Sequence, residues 1–337
     1  MKADSSAFIS DQNHLGILIV RRFCVFNCLL LQIGYEKVRG IGMKKRTLAQ
    51  KKNRAFMPVI ITAVMMYTIF FVVPALYSFY FSLTDWNGYS LNYKFVGIEN
   101  FVRVFNDKDL INSIKFTLIY TVVINAATIP VSIVLAMLLT KEIKGVRFFR
   151  AVYFYPAIIS MLSLGLIFNE IFRRMIPSMA SGLGIRFLET SLLSSGTGAV
   201  IAVIILGFWQ NLSIPTVLLI ASLQSVPSEL TEAAKIDGAG VFARFKVVTL
   251  PFLTSTLIMC LVKGIRDALV VFDYVVSLTQ GGPAKATTSM GYKIYLMGAM
   301  DMKFAQGCAT AVILFVIITI LSFIVMKVVG RGGIDQQ

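Results

Sequence analysis

Six long apolar stretches dominate this chain of 337 residues. Each provides about the 20 residues that an α-helix needs to cross a hydrocarbon layer of ~30 Å. Backbone polar groups inside lipid must be bonded internally, so such segments are expected to be helices. The predicted spans are 56–81, 113–139, a third that ends near 172, 198–223, 251–276 and 305–329. The sequence therefore predicts an all-α integral membrane protein whose six-helix domain covers residues 56–329.

The composition supports this fold class and excludes most catalytic chemistry. Hydrophobic residues make up 57% of the chain and charged residues 15%, whereas soluble domains average about 25% charged residues. His14 is the single histidine, and the four cysteines have neither metal-ligand nor disulfide spacing. The dipeptide Gly-Lys is absent, so the chain has no phosphate-binding loop of the G-x-x-x-x-G-K type. We expect no enzyme activity, no metal and no cofactor in this chain.

The basic residues predict an orientation. A net charge of +15 would suit a nucleic-acid partner, but lysine and arginine lie at the ends of the spans and not in a separate domain. They are more numerous on the side of the two termini than in the opposite loops, which the positive-inside rule assigns to the cytoplasm. We predict cytoplasmic segments at 1–55 and 330–337, an external loop at 173–196, and no nucleic-acid partner.

The first 42 residues contain two apolar pieces that are too short to span, interrupted by Arg21 and Arg22. Met43 follows, together with a basic run typical of a cytoplasmic start. Residues 1–42 are interpreted as a start-site extension, with an interfacial segment as the alternative. A chain that begins at Met43 is expected to insert and function as well as the longer one.

A charged stretch interrupts the apolar pattern between the fourth and fifth spans and reads EAAKIDGAGVFARFKVVTLP over residues 232–251. Ser228, just before it, can cap a helix, and the acidic residues that follow favour the positive helix end. Gly238 and Gly240 predict a break, because glycine accepts backbone angles that other residues avoid. A second short helix is predicted at 241–248. Residues 224–251 should thus form a bent helical pair outside the membrane.

The second helix of this pair is predicted to carry its apolar side chains near one face. Phe242, Phe245 and Val248 recur near one side at helical spacing, and Arg244 lies off it. Pro251 suits the first turn of the fifth span, where no hydrogen-bond donor is lost.

The spacing resembles the EAA loop of ABC-importer permeases: E-A-A, three residues, G, nine residues, an aliphatic residue, any residue, then L-P. Val248 stands where isoleucine is commoner. In that family the loop docks into a cleft on a separate ATPase subunit. The resemblance assigns this coupling role to seven residues: Glu232, Ala233, Ala234, Asp237, Gly238, Leu250 and Pro251.

Three further segments resemble the maltose-type, carbohydrate branch of these permeases: FVGIENFVRVF, FRAVYFYPAIIS and FDYVVSLTQGGP. The resemblance implies a prokaryotic plasma-membrane protein that moves a sugar or oligosaccharide, neutral or acidic, by alternating access. It also implies the partners: a second homologous permease, two ATPase subunits carrying ATP and magnesium, and an extracytoplasmic solute-binding protein.

Polar residues inside two spans are candidates for the translocation path. In the fifth span, Lys263, Arg266 and Asp267 share one helical face, and an intramembrane charge is costly unless it faces inward. In the fourth span, polar groups adjoin Pro215, which frees a backbone carbonyl. The full candidate set is Trp209, Gln210, Asn211, Lys263, Arg266, Asp267 and Asp273.

Two interpretations of these residues remain open on the sequence. Asp267 could pair with Lys263 or Arg266 in a structural cluster, and Gln210 and Asn211 could satisfy the backbone of a kinked helix. Alternatively, the same groups face the path and contact sugar hydroxyls or carboxylates. An ion-coupled secondary transporter is the alternative function, since six spans could be half of such a fold and intramembrane polar groups could relay protons.

Overall fold

The computed structural model describes residues 60–90, 92–140 and 145–334, and the predicted segment 1–55 lies outside them. This part of the chain is helical, apart from its loops and one isolated antiparallel bridge between Thr84 and Phe95. The helices are α1 Ile60–Ser82, α2 Glu99–Phe105, α3 Lys108–Thr140, α4 Val146–Ile158, α5 Met161–Leu183, α6 Gly196–Gln224, α7 Ser228–Ile236, α8 Val241–Leu269, α9 Met290–Tyr295 and α10 Phe304–Ile334.

The apolar helices account for the predicted spans. By length and composition, α1, α3, α6, α8 and α10 can each cross a membrane. The pair formed by α4 and α5 becomes the sixth span if it is counted as one bent unit. The all-α membrane fold is therefore confirmed for the described residues.

The third span differs from its prediction in being sharply bent. Its two halves, Phe148–Ile158 and Met161–Leu183, meet at 99°. At Ile159 the backbone leaves the helical conformation and is extended, with φ at −73° and ψ at 141°. Pro156 and Ser160 lie on either side of this turn, but the sequence analysis did not treat them as a break.

The external loop predicted at 173–196 is wrong over its first part, because α5 continues to Leu183. Arginine is a good helix former, so Arg173 and Arg174 extend the helix. Arg174 also pairs with Glu170 one turn earlier at 3.2 Å. The helix ends where Gly184 adopts a left-handed conformation, with φ at +70°.

The fifth span also has different ends. Predicted at 251–276, it begins ten residues earlier, because the short helix expected at 241–248 is continuous with it in α8. It ends at Leu269, and the chain is not helical at Val271 and Phe272. A short π-helical turn then follows at Val275–Thr279.

The chain divides into two compact units. One comprises the described part of Met1–Lys108 together with Lys293–Val316, and the other comprises Asp109–Tyr292 together with the described part of Ile317–Gln337. In the first unit, Trp86 follows α1 and stacks on Phe81 with ring centroids 4.1 Å apart. The Trp86 carbonyl accepts a hydrogen bond from the Ala305 N–H at 3.0 Å, which joins the loop after α1 to the start of α10.

The second unit has a continuous apolar core. Side chains from α3, α5, α6, the end of α8 and the π-helical turn pack together there. Examples are Tyr120, Leu164, Leu206, Ala268 and Val275. A smaller cluster of Ala136, Leu219 and Leu253 joins α3, α6 and α8 closer to the coupling stretch. These two clusters hold the helices that carry the candidate site residues.

Candidate coupling and translocation sites

The stretch at 224–251, named the coupling segment below, contains a tight helix-ending turn. Helix α7 begins at Ser228 after Pro227, and Pro227, not Ser228, holds the capping position, so the predicted serine cap is wrong. At the other end Gly238 has a φ of +77°. The Ala239 N–H donates to the Ala234 carbonyl at 3.0 Å, and the Gly238 N–H donates to the Lys235 carbonyl at 3.1 Å. These two bonds form a Schellman motif, which fixes the break predicted at Gly238.

The coupling segment exposes both carboxylates and apolar side chains. Glu232 and Asp237 expose their carboxylates. Beside them Ile236 is 86% exposed and Phe242 is 79% exposed. Phe245, predicted near the same helical face as Phe242, instead packs against the Leu219 and Leu253 cluster.

An open pocket lies between the coupling segment and the ends of α3 and α6. Its volume is about 260 Å³, and it is lined by Thr231 of α7 together with Met137, Thr140, Leu223, Val226 and Thr249. Helix α7 itself contains no buried residue. The helix that carries Glu232, Ala233 and Ala234 is thus loosely held against the rest of its unit.

The polar residues of the fourth span lie at an interruption in α6. The helix pauses at Leu212, before Pro215. Asn211 donates from Nδ2 to the Gly207 carbonyl at 2.8 Å, and Ser213 donates from its hydroxyl to the Tyr153 carbonyl at 2.9 Å. Asn211 and Ser213 therefore each hydrogen-bond a backbone carbonyl.

The two neighbours of Asn211 have different surroundings. Trp209 is partly exposed and lies against Phe168, with ring centroids 5.6 Å apart. Gln210 is buried, and its Oε1 has no hydrogen-bond partner among the described residues.

The charges of the fifth span meet around one carboxylate. Lys263 Nζ lies 2.5 Å from Asp267 Oδ2, and Arg266 Nη2 lies 3.0 Å from Asp267 Oδ1. All three side chains are partly buried. The structure thus brings together the residues that share a face at i, i+3 and i+4. Asp273 lies beyond the end of α8, where its carbonyl accepts a hydrogen bond from Ser277 at 2.6 Å.

The sequence analysis missed a polar row on α3. Hydroxyl and amide side chains recur every four residues on its buried face, and each donates to the carbonyl one turn earlier: Ser113, Thr117, Thr121 and Asn125. Asn125 Oδ1 lies where a Cβ at Gly264 would project. This row therefore reaches the turn of α8 that carries Lys263, Arg266 and Asp267, named the charged turn below. The i, i+4 recurrence of small polar residues in an apolar span was the available signal.

No protein-family model matches the sequence, but curated relatives cover most of it. The multiple sugar-binding transport system permease protein MsmF of Streptococcus mutans is 38% identical over 268 residues, which cover 80% of this chain and 92% of the relative. The chain belongs to the sugar ABC transporter permeases. Another such permease, the trehalose/maltose transport system protein MalF of Thermococcus litoralis, is 32% identical, covering 78% of this chain and 89% of the relative.

The probable starch degradation products transport system permease AmyD of Thermoanaerobacterium thermosulfurigenes is 31% identical, covering 79% of this chain and 90% of that relative. A crystal structure of a bacterial ABC transporter involved in the import of the acidic polysaccharide alginate matches with a TM-score of 0.71 and 19% identity, over 83% of this chain and 96% of the other. At that identity the likeness shows the shared permease fold. Membership in the family is consistent with a transport subunit and leaves the ion-coupled alternative without support.

Proposed function

We propose that this sugar ABC transporter permease moves a saccharide inward by alternating access, powered by separate ATPase subunits that dock on the coupling segment. The observation that carries the proposal is the exposed surface around the Gly238 turn. A surface of apolar side chains rimmed by carboxylates is typical of a protein interaction site. Glu232 and Asp237 offer acceptors for basic groups on the ATPase, and Ile236 and Phe242 offer apolar area.

The continuity of α8 supports a mechanical link between this surface and the path. The helix continues from Val241 in the coupling segment to Leu269, with a π-helical turn at Phe245–Thr249. Lys263 lies 22 residues after Val241, or about 33 Å at ~1.5 Å per residue. A displacement of the docked segment would therefore reach the charged turn through one helix. The ATPase must bind two permease conformations with different affinity, since equal affinity would shift neither.

The candidate path residues are proposed to lie on the route of the saccharide. A lipid-facing charge in mid-span costs at least ~2.5–3.5 kcal/mol, which favours an inward-facing position for Lys263, Arg266 and Asp267. Asp273, Trp209, Gln210 and Asn211 are assigned to the same route. Relatives named for multiple sugars, trehalose/maltose and starch degradation products support a carbohydrate cargo.

The complete transporter is proposed to contain a second homologous permease, two ATPase subunits that bind ATP and magnesium, and an extracytoplasmic solute-binding protein. Helix α1 offers a surface for lipid or the second permease, because its most apolar stretch has no buried residue. Both termini are placed in the cytoplasm of a prokaryotic cell, on the ATPase side of the plasma membrane.

The test replaces Glu232 with alanine in the complete transporter. The variant loses a charge-assisted hydrogen bond at the docking surface. Either the amount of ATPase subunit that stays bound or the stimulation of ATP hydrolysis by cargo should therefore fall by about tenfold or more. The measurements are copurification of the ATPase and stimulated ATP hydrolysis in reconstituted vesicles. Glu99→Ala is the matched control, since Glu99 is an exposed helical carboxylate that pairs with Arg103 outside the coupling segment. Full stimulation in Glu232→Ala would refute docking through this residue.

A further inference from the structure

Helix α2, in the segment FVGIENFVRVF at 95–105, has an apolar face that the described part of the protein leaves uncovered. Ile98, Val102 and Phe105 recur at i, i+4 and i+7, which places them on one side of a helix. Phe95 lies just before the helix. The four side chains are between 51% and 71% exposed. An exposed group of large apolar side chains marks a site of contact with another protein or with a membrane.

The opposite side of α2 is fixed to the protein. Asn100 and Val104 lie there, about half a turn from the exposed residues, and both are buried. Asn100 donates from Nδ2 to the Ser82 carbonyl at 2.9 Å and to the Thr84 carbonyl at 2.6 Å. Ser82 is the last residue of α1, so Asn100 holds α2 beside the point where the first span ends.

The charges of α2 lie between these two sides and cancel. Glu99 and Arg103 form an ion pair one helical turn apart, with Arg103 Nη2 at 2.5 Å from Glu99 Oε1. The whole segment 84–108 contains three acidic and three basic residues, which are Asp85, Glu99, Asp107, Lys94, Arg103 and Lys108. It therefore has no net charge to attract an oppositely charged protein surface. Contact through this face must come from the burial of apolar area.

The surroundings of α2 are those expected at the surface of a bilayer. Trp86, Tyr80 and Tyr93 lie together at the end of α1, with the Tyr93 ring centroid 6.3 Å from each of the other two. Tryptophan and tyrosine are enriched where a membrane meets water. On the other side of α2, two residues separate it from Lys108, where α3 begins. The chain thus places α2 between the ends of two helices that can each cross the membrane.

We infer that α2 lies in the interfacial layer of the bilayer, with its apolar face inserted among phospholipid acyl chains and its ion pair directed to the headgroups. Amphipathic helices in this position bury their apolar face about 5–10 Å into the boundary between headgroups and acyl chains. Through Asn100, the anchored helix fixes the depth at which α1 ends. The inference goes beyond transport and does not depend on the saccharide or on ATPase docking.

The experiment identifies what touches this face in the complete transporter. The photoreactive residue p-benzoylphenylalanine replaces Val102 in the apolar face. In the matched control it replaces Arg103, on the charged side of the same helix. Each protein is illuminated in phosphatidylcholine nanodiscs with the solute-binding protein present, and mass spectrometry identifies the captured molecule. The label at Val102 should capture phospholipid with a yield severalfold higher than the label at Arg103.

The charge balance gives a second expected result. The lipid yield at Val102 should stay the same when the nanodiscs also contain phosphatidylglycerol, because the segment has no net charge. A yield that requires the anionic lipid would overturn the apolar basis of the contact.

Three other results would overturn the inference: capture of the solute-binding protein or of the second permease in place of lipid, no lipid capture at Val102, or equal lipid yields at Val102 and Arg103. If the Val102 variant fails to assemble, a label at Phe105, which replaces one aromatic side chain with another, provides the same comparison. ATP-driven uptake and its dependence on Glu232 test the proposed function separately.

Discussion

Gly238 in the coupling segment and Gly207 in α6 are glycines for different physical reasons. At Gly238 the backbone is left-handed and no atom lies within 4 Å of the place where a Cβ would project. At Gly207 that place is occupied by the Tyr120 hydroxyl. The first glycine is required by a backbone angle and the second by space. The coupling segment is therefore shaped by its local sequence, whereas the transmembrane region is shaped by contacts between distant segments.

The largest expected effect is at the coupling turn. Gly238→Val should lower cargo-stimulated ATP hydrolysis by about tenfold or more, because a left-handed conformation costs an ordinary L-residue ~1–2 kcal/mol and a β-branched one more. The melting temperature of the permease should change little, since the turn is exposed. Stimulated hydrolysis and scanning fluorimetry of the purified complex measure the two quantities.

Two matched variants separate the backbone angle from side-chain bulk. Gly238→Asn should keep most of the activity, since asparagine adopts the left-handed region readily. Gly240→Ala adds a methyl group two residues away, where φ is −64° and nothing lies within 4 Å, so it should behave as wild type. If Gly238→Asn were as inactive as Gly238→Val, contact with the partner rather than the backbone angle would set the requirement.

The sequence predicted the features that depend on local residues. The apolar stretches predicted the spans, and the conformational freedom of glycine predicted the break at Gly238. The bend at Ile159 and the end of α8 at Leu269 were missed. Ser160 holds the capping position after the bend, and Arg266 and Asp267 precede the helix end, but such residues also occur inside helices and so did not mark a boundary by themselves. Helical spacing placed Phe242 and Phe245 near one face, but spacing alone cannot tell that Phe245 packs against the protein while Phe242 stays exposed.

The candidate path was predicted only in part, for the same reason. Lys263, Arg266 and Asp267 are close in sequence, so their common face followed from helix geometry. The polar row on α3 is separated from that face by more than 130 residues of sequence. Nothing in the local sequence states that Asn125 packs beside Gly264. Contacts of this kind follow from the packing of whole helices.

The second prediction tests the requirement for space. Gly207→Ala should destabilise the complex by about 1–3 kcal/mol, the usual cost of overpacking, because Tyr120 is buried and cannot move aside. Adding Tyr120→Phe should restore most of the stability by removing the obstructing oxygen. Tyr120→Phe alone should be nearly neutral, since the hydroxyl has no hydrogen-bond partner among the described residues. A Gly207→Ala protein with an unchanged melting temperature would show that the two helices separate without cost.

The smallest expected effect is at Gly264, which lies within the charged turn of α8. A Cβ there would meet Asn125 Oδ1, the far end of a side chain that also donates from Nδ2 to the Thr121 carbonyl at 2.8 Å. The amide can rotate out of its preferred position at a cost of about 0.5–1.5 kcal/mol, so Gly264→Ala should destabilise less than Gly207→Ala. Thermal unfolding of both variants gives the comparison, and Gly264→Ala with Asn125→Ser should recover the loss because the shorter side chain leaves room for the methyl group. The two glycines differ chiefly in how far the neighbouring atom can move. If both variants lost the same stability, the cost would therefore come from pushing the helices apart and not from moving the obstructing side chain.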